Sequence, residues 1–383
     1  MRRVYLDHAA TTPMDPAVAE VYTGHATGVF GNASSLHQWG AAAHNALEEA
    51  REQVAALIGA HAREIIFTSG GTESDNMAIR GTAYQWRERG RHIITSAIEH
   101  HAVLHTCQAL EREGFEVTYL PVDRAGFVDP ADVRRAIRPD TILVTIMMAN
   151  NEVGTIEPVA EIAALTRAAG ITFHTDAVQA VGKIPVDVER LGIDLLSISA
   201  HKLYGPKGVG ALYIRQGVHI APILFGGEHE RRLRPGTQNV PGAAAFAAAA
   251  SMAGRRLAED ARVQAGLRDR LLDGIMSTVP DAEVTGSRYD RLPNHASVLI
   301  AGVDGSALLA GLDMAGIAAS AGSACTAGAV EPSHVLAAMG LLREGDFAAL
   351  RLTVGRSTTV EDIDYVLAVL PGLVDRLRRH TRP

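Results

Sequence analysis

Ser197-Ile198-Ser199-Ala200-His201-Lys202-Leu203-Tyr204-Gly205-Pro206-Lys207-Gly208 decides how the rest of the chain is read. It follows the apolar run Ile193–Leu196, which reads as the end of a buried strand, and it closes in a glycine-proline turn. Surface solubility explains a lysine in that place poorly, and the chain's usage sharpens the point. Of 36 lysines and arginines only Lys183, Lys202 and Lys207 are lysine, so the other 33 are arginine. Arginine stays protonated, whereas a lysine can lose its proton and attack a carbonyl carbon. On local context alone, an ordinary loop cation competes evenly with a reactive amine.

A second stretch lies upstream. Phe173-His174-Thr175-Asp176-Ala177-Val178-Gln179 is a β-branched, apolar run ending in an aspartate, 26 residues before Lys202. An aldehyde cofactor built on a pyridine ring needs both groups. The amine holds the aldehyde carbon, and a carboxylate at the far side keeps the ring nitrogen protonated so that the ring accepts electrons from a substrate. Asp176 alone reads as a strand-end cap. Asp176 and Lys202 together, each at the end of an expected strand, favour pyridoxal phosphate.

At 383 residues the chain can bury a large core, and its length suggests two or three domains. A net charge of −7 without a long basic block argues against nucleic acid as an obligatory ligand; Arg231-Arg232-Leu233-Arg234 is a local exception. No signal pattern precedes the strand-like Val4-Tyr5-Leu6. The apolar run Ala243–Ala250 is far short of the roughly 20 residues a membrane span needs, and reads as a packed helix. Cys107 and Cys325 give neither a disulfide framework nor zinc-ligand spacing, so no metal is expected, and a reducing cytoplasm fits. Cys107 reads as a small buried apolar residue.

Strand candidates fall at 64–68, 92–96, 116–120, 141–147, 171–175, 193–197 and 209–214, with helical segments between most of them. Such alternation indicates a mainly parallel sheet covered on both faces, whose ligands sit beyond the carboxyl ends of the strands. Thr72, His100, Asn151, Asp176 and Lys202 all lie at or just past such ends. Ser69-Gly70-Gly71-Thr72-Glu73-Ser74 joins a strand to a helical stretch at 75–89. It reads as an anion site made by free backbone N–H groups, with Thr72 adding a hydroxyl, or as a plain helix cap. Gly31-Asn32-Ala33-Ser34-Ser35 is a loop, a serine capping the helix expected over 36–58. From about residue 250 the character changes: a long helix over 251–278, strands at 297–300 and 348–354, and a last helix over 360–378. Cys325 sits in Ser320-Ala321-Gly322-Ser323-Ala324-Cys325-Thr326-Ala327-Gly328-Ala329, whose small residues suggest an exposed thiol. In Leu350-Arg351-Leu352-Thr353-Val354-Gly355-Arg356, Arg351 in mid-strand reads as structural.

The pair HTDAVQ and SAHKLYGPKG resembles the class V aminotransferase family of pyridoxal-phosphate enzymes, and most closely its cysteine desulfurases of the bacterial iron–sulfur and nitrogen-fixation type. The match runs nearly end to end, through YLDHAATTP, GNASSLH, FTSGGTESDN, EHHAV, NNEVGT, RPGTQN, SAGSACTAG and LRLTVGR. The resemblance implies the fold type I of such transferases: a mainly parallel seven-stranded sheet in a large domain over 16–250, and a small α+β domain over 1–15 and 251–383. It implies that Lys202 carries the cofactor, that His100 rather than His101 stacks on its ring, and that Asp176 faces the ring nitrogen. Asn151 and Gln179 reach the ring oxygen, Asn151 also the substrate carboxylate; Gly71, Thr72, Ser199 and His201 hold the phosphate. Arg356 is matched to the substrate carboxylate, His8 to the site entrance, and Thr237 to the phosphate of a neighbouring subunit in a homodimer. Cys325 becomes the sulfur acceptor: L-cysteine is split into L-alanine and a persulfide that passes to an acceptor protein. A selenocysteine lyase or aminotransferase of the same fold, and a non-enzymatic sulfur carrier, are the rival readings.

Overall fold

The computed structural model describes residues 2–321, 333–342 and 347–381. Short runs of β-branched and aliphatic residues form the seven strands of the main sheet: β1 (Ile65–Thr68), β2 (His92–Ser96), β3 (Glu116–Leu120), β4 (Thr141–Thr145), β5 (Thr172–Asp176), β6 (Leu195–Ser199) and β7 (Gly210–Ile214). Their spatial order is β1-β7-β6-β5-β4-β2-β3. Only β7 runs antiparallel, to β1 on one side and β6 on the other. Every residue of β1, β2, β4, β6 and β7 is buried, as expected of strands covered by helices on both faces. The six parallel strands therefore end on one side of the sheet, and the loops there are close enough to share a ligand.

Two of the flanking helices matter for that side. Helix α1 (Gly71–Trp86) leaves the sheet right after β1, and α2 (His101–Arg112) follows β2. The first begins earlier than the expected residue 75, because the glycine turn itself supplies its first residue. The helix expected over 36–58 spans Gln38–Leu57, and its cap is His37, whose side chain accepts from the Gly40 N–H at 3.1 Å. No serine performs that capping.

The alanine run and the expected long helix prove to be one element, α3 (Val240–Thr278), starting with a proline in its first turn. Its alanine-rich half packs in the core under the main sheet, whereas Leu267, Leu271, Leu272 and Ile275 belong to a second core. That second core lies on an antiparallel sheet ordered Phe347–Thr353, His295–Ala301, Ala282–Val284. The N-terminal arm joins it. Val4–Tyr5 pairs in parallel with Ile317–Ala318, and Val4 and Leu6 are buried there, each worth about 1.5–3 kcal/mol. This anchoring brings the next residues, Ala9 to Thr12, across to Lys202 and His201. No helix among the described residues is long and apolar enough to cross a membrane.

Candidate active site

A cavity of about 290 Å³ opens at the carboxyl ends of the parallel strands. Its lining contains Gly71, Thr72, His100, Asn151, Asp176, Gln179, Ser199, His201 and Lys202, so nine residues singled out from the sequence meet in one place.

One end suits a dianion. Helix α1 starts at Gly71 after Gly70, and no side chain caps it, so its first N–H groups remain open toward the cavity. Gly71 is required by packing: a Cβ there would lie 2.7 Å from Val178 Cγ2. Thr72, Ser199 and His201 add polar groups around the same end. The His201 ring is held through Nδ1 by Thr11 Oγ1 at 3.1 Å, and burial, Lys202, Lys207 and Lys183 push its pKa down to about 4.

The opposite end is acidic. Asp176 closes β5 and accepts the Val178 N–H at 2.9 Å. Burial pushes its pKa up to about 6, opposed by that N–H and by Lys202. Behind it stands Asp75, 1% exposed, whose carboxyl burial and Asp176 raise well above the usual range. Donor atoms of Asp75, His100 and Asp176 lie within 4.8 Å of one another, the only group among the described residues with that spacing. Burial disfavours a charge on both carboxyls, while Lys202 and the Val178 N–H favour one on Asp176, the group that would face a protonated ring nitrogen.

Lys202 stands between the two ends, in a short turn directly after β6. Its ammonium donates to the carbonyls of Ala9 at 2.5 Å and Ala10 at 2.7 Å. His100 caps α2, its Nδ1 accepting the Ala102 N–H at 3.1 Å, which assigns the proton to Nε2. Burial, Lys202 and three neighbouring histidines push its pKa down to about 4, so the imidazole is neutral. Asn150 is spent on structure: its Oδ1 accepts the N–H groups of Glu152 and Val153, and its amide donates to the Ile98 carbonyl. The tight turn this makes turns Asn151 into the cavity. Gln179 donates to Ala9 O at 2.9 Å, and its buried Oε1 has no hydrogen-bond partner, an acceptor awaiting a donor. An anion cradle, an amine, a carboxylate and an unmet amide oxygen, in that arrangement, fit the phosphate, aldehyde, ring nitrogen and ring oxygen of pyridoxal phosphate.

Two expected residues, Arg356 and Thr237, do not line this cavity. Arg356 is outside the cavity lining: its Nε donates to Asp260 at 2.6 Å, and the guanidinium sits 4.2 Å over the ring of Tyr204. Arg351, read as structural, is also outside that lining but touches one of its residues. It is 3% exposed, donates to the Asn151 carbonyl at 2.9 Å and pairs with Asp7 at 2.9 Å. Thr237 is exposed and does not line its own chain's cavity. Cys325 lies outside the described residues. Asp75 was not anticipated, although it stands in the same SGGTESDN motif as Thr72. Cys107 is buried and its thiol raised by that burial, as a packing residue should be.

Residues 4–366 match the model of the family described as aminotransferase class-V. The chain is 50% identical over 377 residues, covering 98% of this chain and 96% of the other, to the cysteine desulfurase IscS of Dictyoglomus turgidum (strain DSM 6724 / Z-1310). Among solved structures, a NifS-like protein superposes with a TM-score of 0.92 at 41% identity, covering 98% of this chain and 100% of that one. Another, SspA in complex with cysteine, gives 0.81 at 35% identity over 93% of this chain and all of that one.

Proposed function

The chain belongs to the class-V aminotransferase family, and we propose that it works there as a cysteine desulfurase, freeing sulfur from L-cysteine and releasing L-alanine. The observation that carries this is the single cavity holding Lys202, Asp176 and the open end of α1. Pyridoxal phosphate, when bound, supplies an aldehyde that condenses with amines and a ring that takes up electrons released at the substrate α-carbon.

The chain's own residues do the rest. The N–H groups at Gly71, with Thr72, Ser199 and His201, hold the phosphate. Asp176 would keep the ring nitrogen protonated, with Asp75 behind it. His100, a neutral imidazole, would cover the ring, and Asn151 and Gln179 would meet its oxygen. Lys202 provides the amine and moves protons at the substrate α-carbon. The thiolate of Cys325 attacks the substrate sulfur. A bond forms between the two sulfurs as the carbon–sulfur bond breaks; the electron pair stays on carbon and is protonated. L-Alanine leaves and Cys325 keeps a persulfide, which passes to an acceptor protein. For the substrate carboxylate we favour Arg351 over Arg356: each is paired with an aspartate, but Arg351 touches the cavity residue Asn151, whereas Arg356 is held at Asp260 and Tyr204. Thr237, exposed on its own chain, completes the phosphate site of a second copy in a homodimer. The large body is assigned to 16–250, the small one to 1–15 and 251–383. A reducing cytoplasm suits a thiol that must stay free between turnovers.

The test supplies L-cysteine with a reductant and assays sulfide and alanine, then repeats it with a keto acid and assays transfer of the amino group. Equimolar sulfide and alanine are expected. Amino transfer without sulfide would make the protein an aminotransferase.

A further inference from the structure

Lys202 borders two spaces. Besides the cofactor cavity it walls a small chamber of about 10 Å³, together with His8, Lys183, Gln264, Asn294 and Arg356. That is room for about one water molecule. We infer that Lys183 is a positioning residue for Lys202: a buried amine that shares one proton with it through this chamber. The inference rests on the reading of Lys202 as the amine that takes the cofactor.

The two amines are tied to one hub. Lys183 Nζ donates to the Gln179 carbonyl at 2.9 Å, the Gln179 amide donates to Ala9 O at 2.9 Å, and Ala9 O also accepts Lys202 Nζ. Lys183 is only 8% exposed. Burial, then the charge of Lys202, push its pKa down to about 7, so protonating either amine opposes protonating the other. The surroundings do not relieve this. Facing Lys183 are His8 and His295, both buried and both held neutral by that burial. Facing Lys202 are His100 and His201, also neutral, and the carboxyl of Asp176 from β5, with Asp75 lining the same cavity. Asp260, in the chamber wall, is engaged by Arg356 and Arg256.

His8 completes the chamber. It is 1% exposed, neither ring nitrogen has a hydrogen-bond partner, and its ring fills the space a Cβ at Gly355 would need. A water in the chamber would give those nitrogens a partner and link them to the amines. The rule that a nucleophilic lysine is activated by desolvation or by a neighbouring cation describes this pair. It also gives a physical reason for a lysine at 183 in a chain that otherwise uses arginine, which cannot give up its proton.

With three lysines, the full chain labelled with 13C at lysine Cε and freed of cofactor yields three side-chain signals. Adding pyridoxal phosphate should move the Lys202 signal; if none moves, the cofactor reading falls, while the titration still decides the amine pair. In the wild type the Lys183 and Lys202 signals should titrate as a coupled pair, each curve bearing two inflections. In Lys183→Met the Lys202 midpoint should rise by about one pH unit or more, and in Lys183→Arg it should not rise. Independent single-inflection curves in the wild type, or an unmoved Lys202 midpoint in Lys183→Met, overturn the inference. The wild-type curves decide the question even where a variant fails to fold.

Discussion

The guanidinium of Arg356 is fixed between Asp260 and the ring of Tyr204, whereas that of Arg351, five positions earlier, reaches the Asn151 carbonyl at the edge of the cavity. A carboxylate bound by a guanidinium gains charge-assisted hydrogen bonds worth about 1.5–3 kcal/mol, or roughly 10- to 100-fold in affinity. Arg351→Lys should therefore raise KM for L-cysteine about tenfold or more while cofactor absorbance stays normal. Arg356→Lys should leave KM within about twofold and lower stability instead. The reverse pattern would return the carboxylate to Arg356. Glu99 makes a second prediction. It is fully buried, accepts from Ser96 Oγ at 2.6 Å and Met147 N at 2.9 Å, and burial lifts its pKa from 4.5 to about 8. Between those values the folded chain holds a proton that the unfolded chain has released. This contribution to stability is present at low pH and is lost as pH rises from about 5 to 8, at up to about 1.4 kcal/mol per unit. Glu99→Gln should flatten that slope in urea unfolding at pH 5.5, 7 and 8; an unchanged slope would mean Glu99 is ionised in the fold.

Helix α1 shows how an element makes chemistry out of backbone. Its open N-terminus faces the cavity because Gly71 packs against Val178 with no room for a Cβ. Gly71→Ala should weaken pyridoxal phosphate binding by tenfold or more, measured by equilibrium absorbance, with little change in the unfolding of the cofactor-free chain. Unaltered affinity would mean that the turn tolerates displacement. Much at this scale was legible in the sequence. Runs such as Ile65-Ile66-Phe67-Thr68 and Leu195-Leu196-Ser197-Ile198-Ser199 announce buried strands, and Thr72, His100, Asn151, Asp176 and Lys202 stand at strand ends because ligands collect there. The reversed direction of β7 was not legible, since a strand buried on both faces reads alike either way. Nor was the unbroken course of α3, whose alanine half has no polar face to set a period against. The contact of Arg351 with Asn151 was not legible for a related reason: alternation along a strand shows which side chains face inward, not what they meet there.

On the scale of the whole molecule, the site gathers residues from distant parts of one chain, from Ala10 in the arm to Lys202 after β6, and we propose to extend it to a second copy through Thr237. Thr237→Ala alone should weaken cofactor binding. Mixed with Lys202→Ala chains and reassembled, it should regain one intact site per mixed dimer, since each chain supplies what the other lacks. No recovery would mean that Thr237 serves its own chain or none. The central claim is that this assembly passes sulfur from L-cysteine to Cys325, and Cys325→Ser tests it most directly. The substitution changes one atom and leaves Thr72, His100, Asp176 and Lys202 untouched, so cofactor absorbance should be normal and should still change when L-cysteine is added. A hydroxyl attacks sulfur far more slowly than a thiolate, so alanine and persulfide should then fail to form under a reductant. Alanine formed from cysteine as fast as by the parent chain would contradict the account.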